Sequence, residues 1–163
     1  MGELGASVGV GVVQPMSQEF SRFEGVLGPQ LELGYQHALT PGLQVRVSWR
    51  MLSDLDARST GLGVGLGLGL PAQFILGGQV RMDSQQWELV TEDCLAAWCV
   101  PPKPPELSIA GSLTRASVLS ERLVLEYGVH VAAGVASWST GSAQAGSQYR
   151  SASAQVWFWP NRA

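Results

Sequence analysis

Residues 61–71 read GLGVGLGLGLP, with glycine at every second position and Leu or Val in between. A period of two is the pattern of a β-strand whose two faces differ. Glycine is a poor strand residue, because it loses more backbone entropy on folding than other residues and has no side chain to pack. A whole face of glycine therefore predicts a strand that leaves space for bulky side chains opposite it.

Other segments of the chain alternate in the same way. Together with the glycine-rich stretch, the alternating segments are residues 4–12, 31–36, 43–51, 62–70, 74–82, 107–114, 123–131 and 151–158. We expect eight strands of roughly nine or more residues, against about 5–6 residues for the strands of globular sheets.

The connections between these segments alternate in length. The short turns are at LTPG, at Pro71 and at residues 117–121. The connections at SDLDARS and at residues 141–146 are of intermediate length, and those at residues 15–29 and 83–106 are long. Outer-membrane barrels have short periplasmic turns and longer extracellular loops. The sequence therefore predicts one domain, residues 1–163, that is all-β: an eight-stranded antiparallel up-and-down transmembrane β-barrel with long extracellular loops at about 15–29 and 83–106.

Charge is scarce in this chain. Asp, Glu, Lys and Arg make up 14% of the residues, against roughly 25% in a typical soluble domain. No run of about 18 or more apolar residues predicts a membrane helix. The net charge of −3 and the lack of a basic cluster argue against a nucleic-acid partner. The N-terminus MGELGASVGVGVV lacks the regions of a signal peptide, so we expect either a cytosolic protein or, for an exported one, a mature chain with an added Met.

The aromatic residues fall into two groups when the strands are threaded up and down with the long loops outside. The outer group comprises Trp49, Trp87, Trp138 and Tyr149, and the inner group comprises Tyr35, Phe74, Phe158 and Trp159. Two aromatic girdles that flank a Leu/Val band are typical of a barrel that spans a bilayer.

Alternation alone does not say whether the apolar face points to lipid or to a core. A soluble lipocalin- or avidin-like barrel is apolar inside, and it would expose the glycine face to water, where glycine gains nothing. In a small membrane barrel the glycines face a narrow lumen that side chains fill, and they permit strong coiling of the sheet. The glycine face therefore favours the membrane barrel.

At the level of architecture the chain resembles the small eight-stranded outer-membrane proteins of the OmpA, OmpX and OmpW kind. The resemblance rests on strand number, loop asymmetry, the aromatic groups and the ending SASAQVWFW, which is similar to the aromatic-terminated last strand of that family; PNRA follows it here. It implies a place in the bacterial outer membrane, contact with outer-membrane lipid and lipopolysaccharide, and a lumen plugged by salt bridges.

Parity places eight polar or charged side chains in the lumen: Glu32, Gln36, Arg46, Arg50, Gln79, Arg81, Glu126 and His130. Buried charges persist when they are paired and hydrogen-bonded. We expect Glu32 to reach Arg46 on the neighbouring strand. Glu126 would pair across the lumen with Arg50 or Arg81. This network favours a closed barrel with a structural or interaction role; the first alternative is a small pore that prefers anions because arginines outnumber carboxylates.

A lipid A-modifying enzyme is the second alternative, because some outer-membrane barrels of this size are deacylases or palmitoyltransferases that use His and Ser with a carboxylate. Glu126 and His130 share a strand face but are roughly 13 Å apart by strand rise. Ser151 or Ser153 on a neighbouring strand could approach His130. An acyl chain would hardly reach such a pair inside the lumen. We therefore predict no catalytic residues, no metal site and no cofactor.

The long loops carry the remaining chemistry. Cys94 and Cys99 lie in CLAAWC, where we expect a local disulfide in an oxidising compartment, with two reduced thiols as the alternative. Nine of the thirteen acidic residues, including Asp83 and Glu106, fall in or beside the longer connections. Loops on a rigid scaffold are frequent recognition sites. They are expected either to bind an envelope or extracellular protein or to form an acidic fringe bridged to lipopolysaccharide by divalent cations.

Overall fold

Strands account for nearly all of the residues that the structure describes. The computed structural model describes residues 2–15, 26–53, 57–87, 105–139, 142–145 and 149–160. The strands are β1 (Gly2–Pro15), β2 (Val26–Thr40), β3 (Leu43–Ser53), β4 (Ala57–Gly69), β5 (Phe74–Trp87), β6 (Glu106–Ser120), β7 (Leu123–Ser139), β8 (Ser142–Ala145) and β9 (Tyr149–Pro160). One 3₁₀ turn, Pro71–Gln73, joins β4 to β5. Within the described ranges, no helix is long and apolar enough to cross a membrane.

Eight of the strands close into a barrel. Each strand from β1 to β7 pairs antiparallel with the next, β7 also pairs with β9, and β9 returns to β1. The short strand β8 lies outside this ring and pairs with the end of β7. A closed ring has no open edge, so the strand backbones are hydrogen-bonded without water. The predicted eight-stranded antiparallel up-and-down barrel is confirmed.

The two faces of the sheet differ as the alternation predicts. On β4 the Leu and Val side chains point outward, and Leu62 and Val64 are 58% and 52% exposed. The intervening Gly61 and Gly63 are buried inside the ring. The outward residues of the other barrel strands are apolar in the same way, so together they form an apolar belt around the barrel. A bilayer requires such a belt on the outside of a barrel.

The two ends of the barrel differ in their connections. At the short-turn end the strands are joined by tight turns at residues 41–42, 71–73 and 121–122. There the backbone N–H of Gly69 donates to the carbonyl of Gly42 at 2.8 Å, which ties two neighbouring turns together. At the long-connection end the consecutive strands are joined through residues 16–25, 54–56 and 88–105.

The strands extend further than the alternating segments suggested. β1 continues to Pro15, β2 already begins at Val26, and β5 continues to Trp87. The gaps between strands are therefore narrower than the predicted loops at about 15–29 and 83–106. About 9–11 residues suffice for a strand to span a bilayer, whereas β5 has 14. Beyond the apolar belt the outward residues become polar, so the alternation fades although the backbone pairing continues.

Candidate functional site: the barrel interior

The barrel interior holds all eight side chains that parity placed there: Glu32, Gln36, Arg46, Arg50, Gln79, Arg81, Glu126 and His130. Of these eight, Gln36, Gln79 and His130 are half-buried, and the five charged side chains are buried. The buried interior residues that this list lacks include Gln30, Asp83 and Glu106. Most of the charged side chains belong to two hydrogen-bonded clusters at different heights in the barrel.

The inner cluster, nearer the short-turn end, is built around the carboxylate of Glu126 on β7. Arg46 on β3 binds it through both guanidinium branches, Nη1 to Oε1 at 3.0 Å and Nη2 to Oε2 at 2.8 Å. The hydroxyl of Thr114 donates to Oε1 at 2.6 Å, and the indole N–H of Trp159 donates to Oε2 at 3.0 Å. Bidentate pairs of this kind are strong charge-assisted contacts. Because β3 and β7 are opposite each other in the ring of eight strands, the bridge crosses the lumen.

Two stacked indoles fill the space beside this bridge. The rings of Trp157 and Trp159 are 4.9 Å apart and inclined by 10°, and the guanidinium carbon of Arg46 lies 5.0 Å from the Trp159 ring centroid. Gly34 makes room for them, since a Cβ there would lie 2.8 Å from the Trp157 ring. The assignment of Trp159 to an aromatic girdle is wrong. The alternation of β9 places it on the same inward face as Gln155, where it is 2% exposed.

The outer cluster, nearer the long-connection end, is built around Asp83 on β5. Arg50 and Arg81 donate to its Oδ1 at 3.3 and 3.5 Å, and the hydroxyl of Ser108 donates to its Oδ2 at 2.6 Å. Asp83 is fully buried, and Glu106, its paired neighbour on β6, is also buried. The expectation that both acids lie outside with the long loops is wrong, because β5 and β6 remain paired at this height and both side chains face inward.

The glycines of β4 allow its two neighbouring strands to contact each other. In the sheet, Arg50, Gly61 and Asp83 are in register across β3, β4 and β5. Because Gly61 has no side chain, Arg50 reaches Asp83 over the strand that separates them; a Cβ at Gly61 would overlap the Asp83 carboxylate. Gln79 on β5 donates to the hydroxyl of Ser48 on β3 at 3.0 Å in the same way.

The ion pairs differ from the predicted ones. Among the described residues, Glu32 makes no ion pair with Arg46; it accepts a hydrogen bond from the amide of Gln155 at 3.0 Å. Arg46 pairs instead with Glu126, which was expected to bind one of the other two lumenal arginines. Alternation assigns a side chain to a face, whereas its partner depends on its height, which strand register and barrel tilt determine.

The predicted excess of positive charge is absent from the described part of the interior. The buried ionisable side chains there are four carboxylates and three guanidiniums: Glu32, Asp83, Glu106, Glu126, Arg46, Arg50 and Arg81. The prediction counted two carboxylates because it left Asp83 and Glu106 outside. Without an arginine excess, the lumen lacks the feature that would make a pore prefer anions.

His130 lies between two serines that are paired with it in the sheet, Ser112 on β6 and Ser153 on β9. Its Nε2 is buried and has no hydrogen-bond partner among the described residues, so neither serine is held as in a Ser–His dyad. Within the same ranges, no three His, Cys, Asp or Glu side chains are placed to hold a metal ion. Cys94 and Cys99 lie outside the described residues, and their disulfide stays a prediction.

Among the side chains that the structure describes, the outward-facing aromatics form only part of the two predicted girdles. Phe74 and Phe158 face outward near the short-turn end. Tyr35 and Trp49 also face outward, but Trp49 is paired with Leu33, two residues from Tyr35. Their separation along the strand is therefore about 7 Å, much less than the height of a bilayer. Three predicted girdle side chains lie outside the part of the chain whose side chains are described: Trp87, Trp138 and Tyr149.

These features define a class of protein. The barrel is closed, eight-stranded and antiparallel, with an apolar belt outside and a hydrogen-bonded polar interior. This is the construction of a transmembrane barrel of the bacterial outer-membrane type. The soluble alternative requires the apolar face to point inward, and the observed orientation of the two faces is the opposite.

No model of a protein family matches the sequence, and no curated protein matches it. Several solved structures are similar in fold. Neisserial surface protein A gives a TM-score of 0.70 at 9% identity, over 99% of this chain and 97% of that one. Ail, the attachment invasion locus protein of Yersinia pestis, gives 0.57 at 6% identity, over 98% and 96%. The N-terminal β-barrel domain of Pseudomonas aeruginosa OprF gives 0.52 at 11% identity, over 98% and 99%.

At such low identity the likeness is one of fold. The chain has the fold of the small eight-stranded outer-membrane barrels, as the sequence resemblance implied. The closed ring with its apolar belt outside and polar interior is that of a protein of the bacterial outer membrane. None of the three neighbours is named for a catalysed reaction.

Proposed function

We propose that this protein is a closed outer-membrane scaffold with a structural or interaction role, carried by the surface at its long-connection end. The observation that carries the proposal is the bridge between Arg46 and Glu126, which joins opposite strands across the lumen. The stacked indoles and the outer cluster add further layers of buried side chains. A solute would have to break buried ionic contacts at two heights to pass, and breaking such contacts is costly.

Single-channel recording in planar lipid bilayers tests the plug. The refolded wild type is expected to show no conductance steps. Combining Arg46→Ala and Glu126→Ala with Arg50→Ala and Asp83→Ala removes an ion pair at each of the two heights and is expected to produce a conducting barrel. Arg115→Ala truncates an arginine on the outer face and serves as the control, which is expected to remain silent. A conducting wild type would contradict the proposal, and a folded but silent quadruple variant would show that these ion pairs do not close the lumen.

The connections at the long-connection end are proposed to bind cationic partners. Residues 16–25, 54–56 and 88–105 contain seven acidic residues and two basic ones, Arg22 and Lys103. Such a surface favours a basic patch on an envelope or extracellular protein, or divalent cations that bridge it to lipopolysaccharide phosphates. Ail has been solved in complex with the heparin analogue sucrose octasulfate. A polyanion of that kind is a poor electrostatic match for these acidic connections.

Retention on charged resins tests this part of the proposal. The refolded protein in detergent is expected to bind immobilised polylysine in a salt-sensitive manner and to pass through immobilised heparin. Combining Glu88→Gln, Glu92→Gln and Asp93→Asn is expected to weaken binding to polylysine, because it removes three of the seven acids. Glu121→Gln, at the short-turn end, is the control and should leave retention unchanged. Binding to heparin would contradict the proposed type of partner.

A further inference from the structure

Water exposure changes abruptly with height inside the barrel. Gln79, Ser112 and His130 are half-buried although all three face the lumen. Two residues further toward the long-connection end on the same strands, Ala110 and Ala132 are 5% and 8% exposed. Higher still, the outer cluster around Asp83 is buried. The interior is therefore accessible at mid-height and sealed above it, whereas the inner cluster around Glu126, nearer the short-turn end, is buried, so any access from that end runs past the side of this cluster.

Two adjoining cavities follow this accessible side. The first, of about 170 Å³, opens beside the turns of the short-turn end, where Gly42, Gln44 and Gly69 line it. The second, of about 20 Å³, lies deeper and is lined by side chains from six strands: Glu32, Arg46, Gln79, Ser112, His130 and Trp157. Gly67 and Ile75 line both cavities, so the two are neighbours. The glycine face of β4 thus also keeps open a passage along the inner half of the lumen.

The deep cavity presents polar atoms that the protein itself does not bond. Trp157 is 1% exposed, and its indole N–H has no acceptor among the described residues. His130 Nε2 is likewise buried without a described partner. A site needs roughly 10–15 Å³ and two or more polar partners to hold one water molecule, and this cavity meets both conditions.

We propose that the inner half of the lumen is a water-filled half-channel that opens at the short-turn end and terminates in a one-water site beside the Trp157 indole. The water accepts a hydrogen bond from the indole N–H and finds its other partners among the polar side chains that line the deep cavity. The half-channel stops below the outer cluster. This inference rests on the proposed closure of the lumen, since a conducting barrel would have no sealed end.

Thiol labelling tests the half-channel with a matched pair on one strand. Ser112→Cys and Ser108→Cys are made in a background with Cys94→Ser and Cys99→Ser, and folding is verified by heat-dependent gel mobility. Methyl methanethiosulfonate is the probe because it transfers a single CH₃S group; thiols left free are counted after denaturation by a maleimide that shifts the band. Rates are measured across pH and compared for the thiolate form, because reactivity depends on ionisation as well as on access. On that scale Cys at position 112 is expected to react at least about tenfold faster than Cys at position 108. Equal rates, or two unreactive thiols, would overturn the half-channel.

Proton NMR of the protein in nanodiscs tests the terminal water. The indole N–H of Trp157, assigned through Trp157→Phe, is expected to show a nuclear Overhauser effect to water. The indole N–H of Trp159 is the internal control, because it donates to Glu126 although its ring is stacked on that of Trp157. No effect at Trp157, or a resonance that shifts with added bromide, would overturn the one-water site. A conducting wild type would instead contradict the closed lumen, so the failures of the two proposals are distinguishable.

Discussion

The carboxylate of Glu126 is stable inside a membrane barrel because four donors surround it. Two come from Arg46, one from Thr114 and one from Trp159. Removing one partner of a buried ion pair costs more than removing both, because a lone charge remains in a poorly solvated place. The stability of the plug at the residue scale thus depends on keeping the pair complete.

Arg46→Met is expected to destabilise the barrel by about 3–5 kcal/mol, since it leaves Glu126 buried without its cation. Adding Glu126→Gln to it should recover part of the loss. Urea unfolding of the refolded protein in detergent, followed by tryptophan fluorescence, measures both. Arg115→Met is the control, because Arg115 lies on the outer face over the Phe74 ring, and it should cost no more than about 1 kcal/mol. Equal losses for Arg46→Met and Arg115→Met would contradict the account of the bridge.

The turn between β4 and β5 carries local backbone strain. Ala72 and Gln73 have φ of 60° and 65°, a region that favours glycine. Ala72→Gly is therefore expected to stabilise the barrel by about 0.5–1 kcal/mol in the same unfolding experiment. Ala116→Gly, in β6, is the control and is expected to destabilise. If Ala72→Gly destabilised the protein as much as Ala116→Gly does, the turn would not be strained.

At the scale of elements, the glycines of β4 make room for the backbone and side chains of the neighbouring strands. A Cβ at Gly65 would overlap the backbone carbonyl of Gly78 and lie 2.9 Å from the Cα of Gln79. Gly78, on the neighbouring strand but facing outward, has nothing within 4 Å of such a Cβ. The two glycines therefore form a matched pair. Comparing them distinguishes the steric clash of an inward Cβ from the general destabilisation that glycine causes in strands.

Gly65→Ala is expected to cost about 1–3 kcal/mol, because backbone atoms cannot move aside as a flexible side chain would. Gly78→Ala should be neutral or stabilise by up to about 1 kcal/mol, because it removes a strand glycine without a clash. The free energies of unfolding in urea, measured in detergent, compare the two. A larger loss of unfolding free energy from Gly78→Ala than from Gly65→Ala would contradict the view that the inward glycines are needed to avoid steric clashes.

Alternation along single strands was sufficient to place the eight lumenal residues, because a period of two assigns each side chain to a face. The same alternation predicts that Trp159 faces inward, because it shares a strand face with Gln155. The assignment to a girdle was wrong because it relied on the aromatic residue type instead of on the alternation. Asp83 and Glu106 were missed for a different reason. They lie where the outward residues are no longer apolar, so the alternation that marks a strand disappears there.

At the scale of the whole molecule, the sequence could not reveal which charges meet. The bridge from Arg46 to Glu126 joins residues 80 positions apart in the chain, and it depends on ring closure, strand register and tilt together. The difference in water access between the two ends of the lumen depends on the same quantities. The outer cluster and the glycine passage each depend on side chains from several strands that meet at the same height. Alternation along a single strand does not encode which side chains these are.

The central claim is that this chain forms a closed barrel with its apolar face toward lipid and its polar plug inside. Electrophoretic mobility in SDS, unboiled against boiled, after refolding into detergent micelles, tests it most directly. A closed membrane barrel resists SDS until it is heated, so we predict two different mobilities. A single mobility at both temperatures, from a protein that is soluble and folded without detergent, would contradict the claim and would mean that the Leu and Val faces form a core.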